Sequence, residues 1–191
     1  MSHSYQQTLK EIDSLAGRGI QKGLERMEAA LRLLGNPQSR FPSIHIAGTN
    51  GKGSTCAMTA EILKRSGYKT GLTVSPHLED FRERIQVNRQ WIPEESVSSI
   101  HRHLQKRVGH IPLTYFEWPI LMAFQYFAEA RVDIAVLETG MDVQEALSRR
   151  DAQDSHILST FYEGSRRGAA TVDLSGAQTP VESGAQLLAT T

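Results

Sequence analysis

Residues Ile44-His45-Ile46-Ala47-Gly48-Thr49-Asn50-Gly51-Lys52-Gly53-Ser54-Thr55 restrict the fold more than any other stretch of the chain. An alternating apolar run enters closely spaced glycines and leaves into helix-forming residues, which reads as strand, tight loop and helix start. Glycine lets a loop turn its N–H groups inward without a Cβ clash. The helix beyond adds unpaired N–H groups and the positive end of its dipole. An anion is the natural occupant, and Lys52 brings a full charge toward phosphate oxygens. We read the stretch as a nucleoside-triphosphate cradle. It departs from the strict G-x-x-x-x-G-K-[ST] spacing. Gly53 follows Lys52, so the hydroxyl comes late, at Ser54 or Thr55, and Gly48 lies nearer the lysine than that pattern asks. A Gly-rich β–α turn with an incidental lysine is the competing account.

Bulk properties narrow the function classes. With 191 residues the chain suits one domain, or one domain and an appendage, and 39% hydrophobic residues supply a core. Lys+Arg and Asp+Glu balance at 21 each, so no global field steers the chain to nucleic acid or an anionic membrane. The lone Cys56 excludes an internal disulfide and a Cys-based zinc site. No apolar run nears a membrane span and the N-terminus lacks a signal layout, so a cytoplasmic location is expected; a monomer is the expected state.

The spacing of Tyr5, Leu9, Ile12 and Ala16 predicts a helix over 4–16, and Leu24, Met27, Leu31 and Leu34 predict another that stops at Gly35. Arg18 and Arg26 are open to two accounts, a ligand contact and solvated surface charge, of which the second is expected. After the cradle, a helix with Met58, Thr59, Ile62 and Leu63 turned inward is expected, then a strand over 68–75 stopped by Pro76. A hairpin follows around Asn88-Arg89-Gln90. Pro93-Glu94-Glu95 opens a helix with Val97, Ile100, Leu104 and Val108 on one face. His101 and His103 lie about 200° apart on it, too far round to share a metal, and read as surface residues. Thr114 to Glu117 has capping-box spacing, although Pro119 also suits a first turn. Residues 120–130 are apolar nearly all round, which predicts a buried helix. Residues 132–138 form a β-branched strand that ends in Glu138. An acid at a strand's carboxyl end beside a phosphate cradle is where Mg²⁺ is held, and the Ser75 hydroxyl, at the end of the other strand, is its natural partner.

These blocks together resemble a known family. Gly48 to Thr55, Ser75-Pro76-His77-Leu78 with Phe81 and Glu83-Arg84-Ile85, Leu113-Thr114-Tyr115-Phe116-Glu117 and Val136-Leu137-Glu138 are similar to folylpolyglutamate synthase/dihydrofolate synthase, among the Mur-type ATP-dependent ligases. The resemblance runs from about Gly19 to Gly140. It implies an α/β fold, a mostly parallel sheet of the Mur central-domain type flanked by helices. It also implies a reaction in which ATP activates a pterin carboxylate as an acyl phosphate and L-glutamate attacks it. By carry-over, Thr49, Asn50, Gly51, Lys52, Gly53 and Ser54 contact ATP, and Lys52 stabilises the transferred charge. Ser75 and Glu138 ligate Mg²⁺. Thr114, Tyr115, Phe116 and Glu117 line the dihydropteroate or folate site, joined by Gly23, Leu24 and Glu25.

The resemblance stops at Met141-Asp142. Residues 1–141 read as a partial ATP-binding domain and 142–191 as an unmatched tail rich in Ser, Ala, Gly, Gln and Thr. A shifted reading frame and a divergent natural tail are the two accounts of it. On the first, the sheet loses its later strands, exposes apolar edges and turns over poorly. Another P-loop enzyme, such as a small-molecule kinase, and a non-catalytic nucleotide- or pterin-binding remnant are the alternatives to a ligase.

Overall fold

In the computed structural model, residues 4–19, 21, 23–47 and 50–139 are described in full, together with the backbone of 170–173 and 187–188. The elements in chain order are α1 (Tyr5–Ser14), α2 (Glu25–Leu33), β1 (Ser43–Ala47), α3 (Lys52–Arg65), β2 (Thr70–Thr73), β3 (Ile85–Val87), β4 (Gln90–Trp91), α4 (Glu94–Val108), α5 (Glu117–Ala130), β5 (Ile134–Glu138), β6 (Ala170–Asp173) and β7 (Leu187–Leu188). The Ser4 hydroxyl accepts the Gln7 N–H to cap α1. Pro93 precedes α4, whose first turn is acidic and last turn basic, so its charges oppose the helix dipole at both ends. Asn88 and Arg89 both take positive φ, which gives the β3–β4 hairpin a turn matched to strand twist.

The strands form one sheet in the order β4-β3-β2-β5-β1-β6-β7. β2, β5, β1 and β6 run parallel, with Thr70 opposite Ile134, Ser43 opposite Ala135 and Ile44 opposite Ala170. β3, β4 and β7 run antiparallel at the flanks. The carboxyl ends of β1, β2 and β5 therefore meet at one rim, where open α/β sheets bind ligands.

Alternation along β5 divides the core. Ala135 and Leu137 join the large cluster built from α1, α2, α4 and α5, while Val136 joins Ile46, Leu72, Cys56 and Ala60 under α3. Gly71 gives the first cluster a close approach: a Cβ there would meet the Phe127 ring at 3.0 Å.

The structure corrects several expectations. On α3 it is Cys56 and Ala60 that are buried, whereas Met58 and Ile62 are 60% and 64% exposed. Residues two apart on a helix lie about 200° apart, so the face set by Cys56 turns Met58 outward. His101 is fully buried, not a surface residue. The strands expected over 68–75 and 132–138 are shorter, at Thr70–Thr73 and Ile134–Glu138. α5 begins at Glu117, with Thr114 and Glu117 capping it reciprocally, so Pro119 falls inside the first turn where it needs no donor. On its other side β1 pairs with β6, whose Thr171 and Val172 suit a strand.

Candidate functional site

The cradle occupies the rim of the sheet. Gly48 and Thr49 lie outside the described residues. Asn50 is exposed, and Gly51 holds φ +77 as the cap of α3, a left-handed conformation that a side chain would strain. Lys52 is the first residue of the helix. The first ladder bond runs from the Thr55 N–H to the Gly51 carbonyl at 2.9 Å, so the N–H groups ahead of it lie at the open end of the helix. Ser54 is exposed there.

Glu138 ends β5 at the same rim. Its Oε2 accepts the Ser75 backbone N–H at 3.0 Å, so Ser75 meets this acid through its amide. A Cβ on Gly53 would lie 3.6 Å from Oε2, which places the start of α3 directly against the carboxylate. Burial raises the Glu138 pKa above the ordinary carboxylate value, and the Ser75 N–H, Lys52 and Arg84 pull the other way. The Lys52 and Glu138 charges both act on Cys56, whose thiol burial pushes up to about 12 and keeps inert. For a divalent cation, the hard oxygen donors here are those of the Glu138 carboxylate, beside the Ser75 backbone. Mg²⁺ takes one or two carboxylates and completes its shell with phosphate and water, so the set fits it. Among the described residues no group of three His, Cys, Asp or Glu side chains forms a cage.

Between β2 and β3 the chain makes a braced loop. The Glu83 carboxylate accepts the N–H groups of Leu78, Glu79 and Asp80 at 2.8, 2.8 and 2.7 Å, and these bonds lower its pKa. Asp80 accepts Tyr5 Oη at 3.0 Å and grips the Arg82 guanidinium at two points, 3.0 and 2.7 Å. Those partners, Arg82 first, hold the Asp80 carboxyl well below the usual carboxylate range. The Arg82 guanidinium lies 5.7 Å from the ring centres of both Tyr5 and Trp91. Arg84, buried at 7% exposure, donates from Nε to His77 Nδ1 at 2.7 Å. Its guanidinium then sits 5.6 Å from the Tyr115 ring.

Arg84 is thus the link from Glu138 to residues 114–117. Thr114 is buried there, Tyr115 half-buried and Phe116 56% exposed. Glu117 accepts the Thr114 N–H at 2.7 Å and pairs with Arg26 at 3.2 Å. Arg26 also donates to the carbonyls of Gln21 and Gly23, which ties the segment before α2 to the same wall. Gly23 (φ +95), Leu24 and Glu25 lie there, and the Glu25 carboxylate occupies the space a Cβ on Gly23 would fill. Arg18 donates to the Leu113 carbonyl at 2.6 Å. Arg18 and Arg26, expected to be solvated, are both tied to this wall.

The structure therefore brings Gly51, Lys52, Gly53, Ser75 and Glu138 to one rim and connects them to 114–117 and 23–26. The sequence weighs a ligand role for Arg26 against solvation, and the resemblance implies a loop from Ser75 to Arg84, His77 included, that closes over substrate. The burial of Arg84 beside a histidine and a tyrosine is a tertiary fact that no spacing encodes.

No family model matches the chain. It is 37% identical over 133 residues to the dihydrofolate synthase/folylpolyglutamate synthase of Escherichia coli, covering 70% of this chain and 32% of that protein. The Bacillus subtilis protein of that name is 34% identical over 148 residues, covering 74% and 34%. Among solved structures, the folylpolyglutamate synthase of Thermotoga maritima superposes with a TM-score of 0.67 at 41% identity, over 73% of this chain and 34% of that one. The Yersinia pestis bifunctional synthase complexed with AMPPNP and Mn ion gives 0.67 at 33% identity, over 72% and 33%. The chain spans about a third of the length of these relatives.

Proposed function

We propose that this chain, which resembles the N-terminal portion of folylpolyglutamate synthase/dihydrofolate synthase, carries the nucleotide and pterin sites of an ATP-dependent amide-bond ligase. One observation carries the reading. Lys52, Ser75 and Glu138 share the rim of the parallel sheet, and Arg84 and Tyr115 lead from that rim to the wall at 114–117. Solved relatives at 33% and 37% identity hold AMPPNP with Mn ion and DHPP with ADP, which supports both halves of the site.

A carboxylate is a poor electrophile until one of its oxygens becomes a leaving group. In the proposed reaction the pterin substrate's carboxylate oxygen attacks the γ-phosphorus of ATP and ADP departs, leaving an acyl phosphate. The amine of L-glutamate then attacks the acyl carbon. The C–N bond forms, the C–O bond to phosphate breaks, and the amine gives up its proton. The protein's part is positioning and charge neutralisation. The N–H groups at the start of α3 and the Lys52 ammonium receive the phosphates, and Lys52 offsets charge on the transferred group. Glu138 and Ser75 are the residues that would hold Mg²⁺, which bound there supplies charge neutralisation at the phosphate oxygens. Arg84 stands between nucleotide and pterin sites, where a substrate carboxylate must lie to be phosphorylated. Tyr115 and Phe116 offer ring faces to the flat pterin.

No glutamate site is identified among the described residues, so binding is the sharper readout. Calorimetric titration with Mg-ATP should show binding that Lys52→Ala weakens by about 10- to 100-fold, the scale of one lost charge-assisted contact. Unchanged affinity in that variant overturns the cradle assignment. ATP consumption dependent on both dihydropteroate and L-glutamate supports the ligase, whereas hydrolysis triggered by some other acceptor alone favours a small-molecule kinase.

A further inference from the structure

A buried relay crosses three helices next to the wall just described. The Trp118 indole Nε1–H, in the first turn of α5, donates to His101 Nδ1 at 3.1 Å. On the other side of the same imidazole, Nε2 meets Glu11 Oε2, from α1, at 2.9 Å. His101 is 0% exposed and Trp118 2% exposed, and their rings meet edge to face at 5.5 Å. Beside the relay, the Thr8 hydroxyl of α1 bonds the Ser98 hydroxyl of α4 at 3.3 Å.

The chemistry of the three groups fixes the proton. An indole N–H only donates, so Nδ1 must present its lone pair. An ionised carboxylate only accepts, so Nε2 carries the hydrogen. His101 is therefore held as the neutral Nε2–H tautomer, and its ring plane is set from both ends. Phenylalanine would fill the space but fix neither end. Methionine or leucine would leave the Trp118 indole unpartnered in the core, which is costly.

Trp118 follows Glu117 directly. Its own N–H bonds the Thr114 carbonyl at 3.1 Å, one residue beyond the reciprocal cap between Thr114 and Glu117. Whatever sets the rotation of the first turn of α5 also sets where Tyr115 and Phe116 stand. We infer that His101 is a positioning residue for the pterin wall: as a fixed-tautomer bridge from Glu11 to Trp118, it locks the first turn of α5 and so aims Tyr115 and Phe116. The inference rests on the reading of 114–117 as a substrate wall. Among the described residues Arg84 links this wall to the rim at Glu138, and dihydropteroate and nucleotide affinities can be read separately.

The test uses the full chain, with His101→Phe to remove both bonds and Glu11→Gln to keep packing while exchanging the carboxylate. Nitrogen-15 spectra of the wild type should show His101 with hydrogen on Nε2 and none on Nδ1; the opposite tautomer overturns the inference. Calorimetry should show dihydropteroate affinity falling about tenfold in His101→Phe, as a misaimed wall requires, with Mg-ADP affinity held within about twofold. Glu11→Gln, which still accepts from Nε2–H, should retain most of the wild-type dihydropteroate affinity. Equal weakening of both ligands in His101→Phe shows a general structural role and overturns the inference, as does no weakening of either. If the wild type binds Mg-ADP but no dihydropteroate, the substrate reading fails and not this one. The amide shifts of residues 114–117 then decide: displaced in His101→Phe they sustain the positioning role, and unmoved they overturn it.

Discussion

Two buried residues carry consequences out of proportion to their size. Gly71 lies in β2 with the Phe127 ring 3.0 Å from where a Cβ would stand, so a methyl group there presses on the ring and needs it to give by a few tenths of an ångström. Gly71→Ala should destabilise the fold by about 1–3 kcal/mol, the usual range for overpacking, as read by denaturant unfolding. His45 lies in β1 at 4% exposure, with Nε2 3.0 Å from the Ser43 hydroxyl. Burial lowers its pKa to about 4 from the ordinary 6.5. Between these values the unfolded chain binds a proton that the folded chain refuses, so stability rises with pH across that window. It is complete above about pH 6.5 and falls away toward pH 4, by up to ~3 kcal/mol. His45→Gln should flatten that segment of the stability–pH curve; an unchanged slope would assign it to other groups. Cys56, on the buried face of α3, should resist thiol reagents until the chain unfolds.

At the scale of elements, the braced loop between β2 and β3 owes its shape to a few side chains rather than to a ladder. Glu83 gathers the N–H groups of residues 78–80, and Arg82 clamps Asp80 beneath Tyr5 and Trp91. Glu83→Ala should accelerate hydrogen exchange at Leu78, Glu79 and Asp80 while leaving β5 amides unchanged; exchange unaltered at all three would contradict the brace. This loop also marks the limit of what the sequence discloses. Strand, glycine loop and Lys52 are legible because backbone conformation and charge are local, and Glu138 is legible because a β-branched run ends on an acid. The inward face of α3 is not. Its apolar residues are spread round the helix, with Cys56 and Ala60 doing the packing that Met58 and Ile62 were expected to do. Periodicity fails where small residues face the sheet, since a close approach selects for size and not for hydropathy. His101 and Arg84 escaped for a related reason. Each looks like an ordinary surface residue until the fold supplies partners from α1, α5 or residue 77.

At the scale of the molecule, the parallel strands hold the rim together and the antiparallel strands close the flanks. β6 lies between β1 and β7, so its backbone N–H groups are used on one side or the other. Val172→Pro removes one of them from the ladder and should lower stability by about 1–3 kcal/mol, visible as a reduced thermal midpoint. A midpoint unchanged within error would show that β6 adds little to the sheet. The central pairing has a further consequence for the chain as it is made. β1 has Ser43 opposite Ala135, so the strand that leads into the glycine loop is synthesised long before β5 exists. At typical cellular elongation rates that gap is about 5–20 s. During that interval Ile44, Ile46 and the turn behind them leave the ribosome unshielded, and a chaperone that shields extended apolar segments has its best opportunity there.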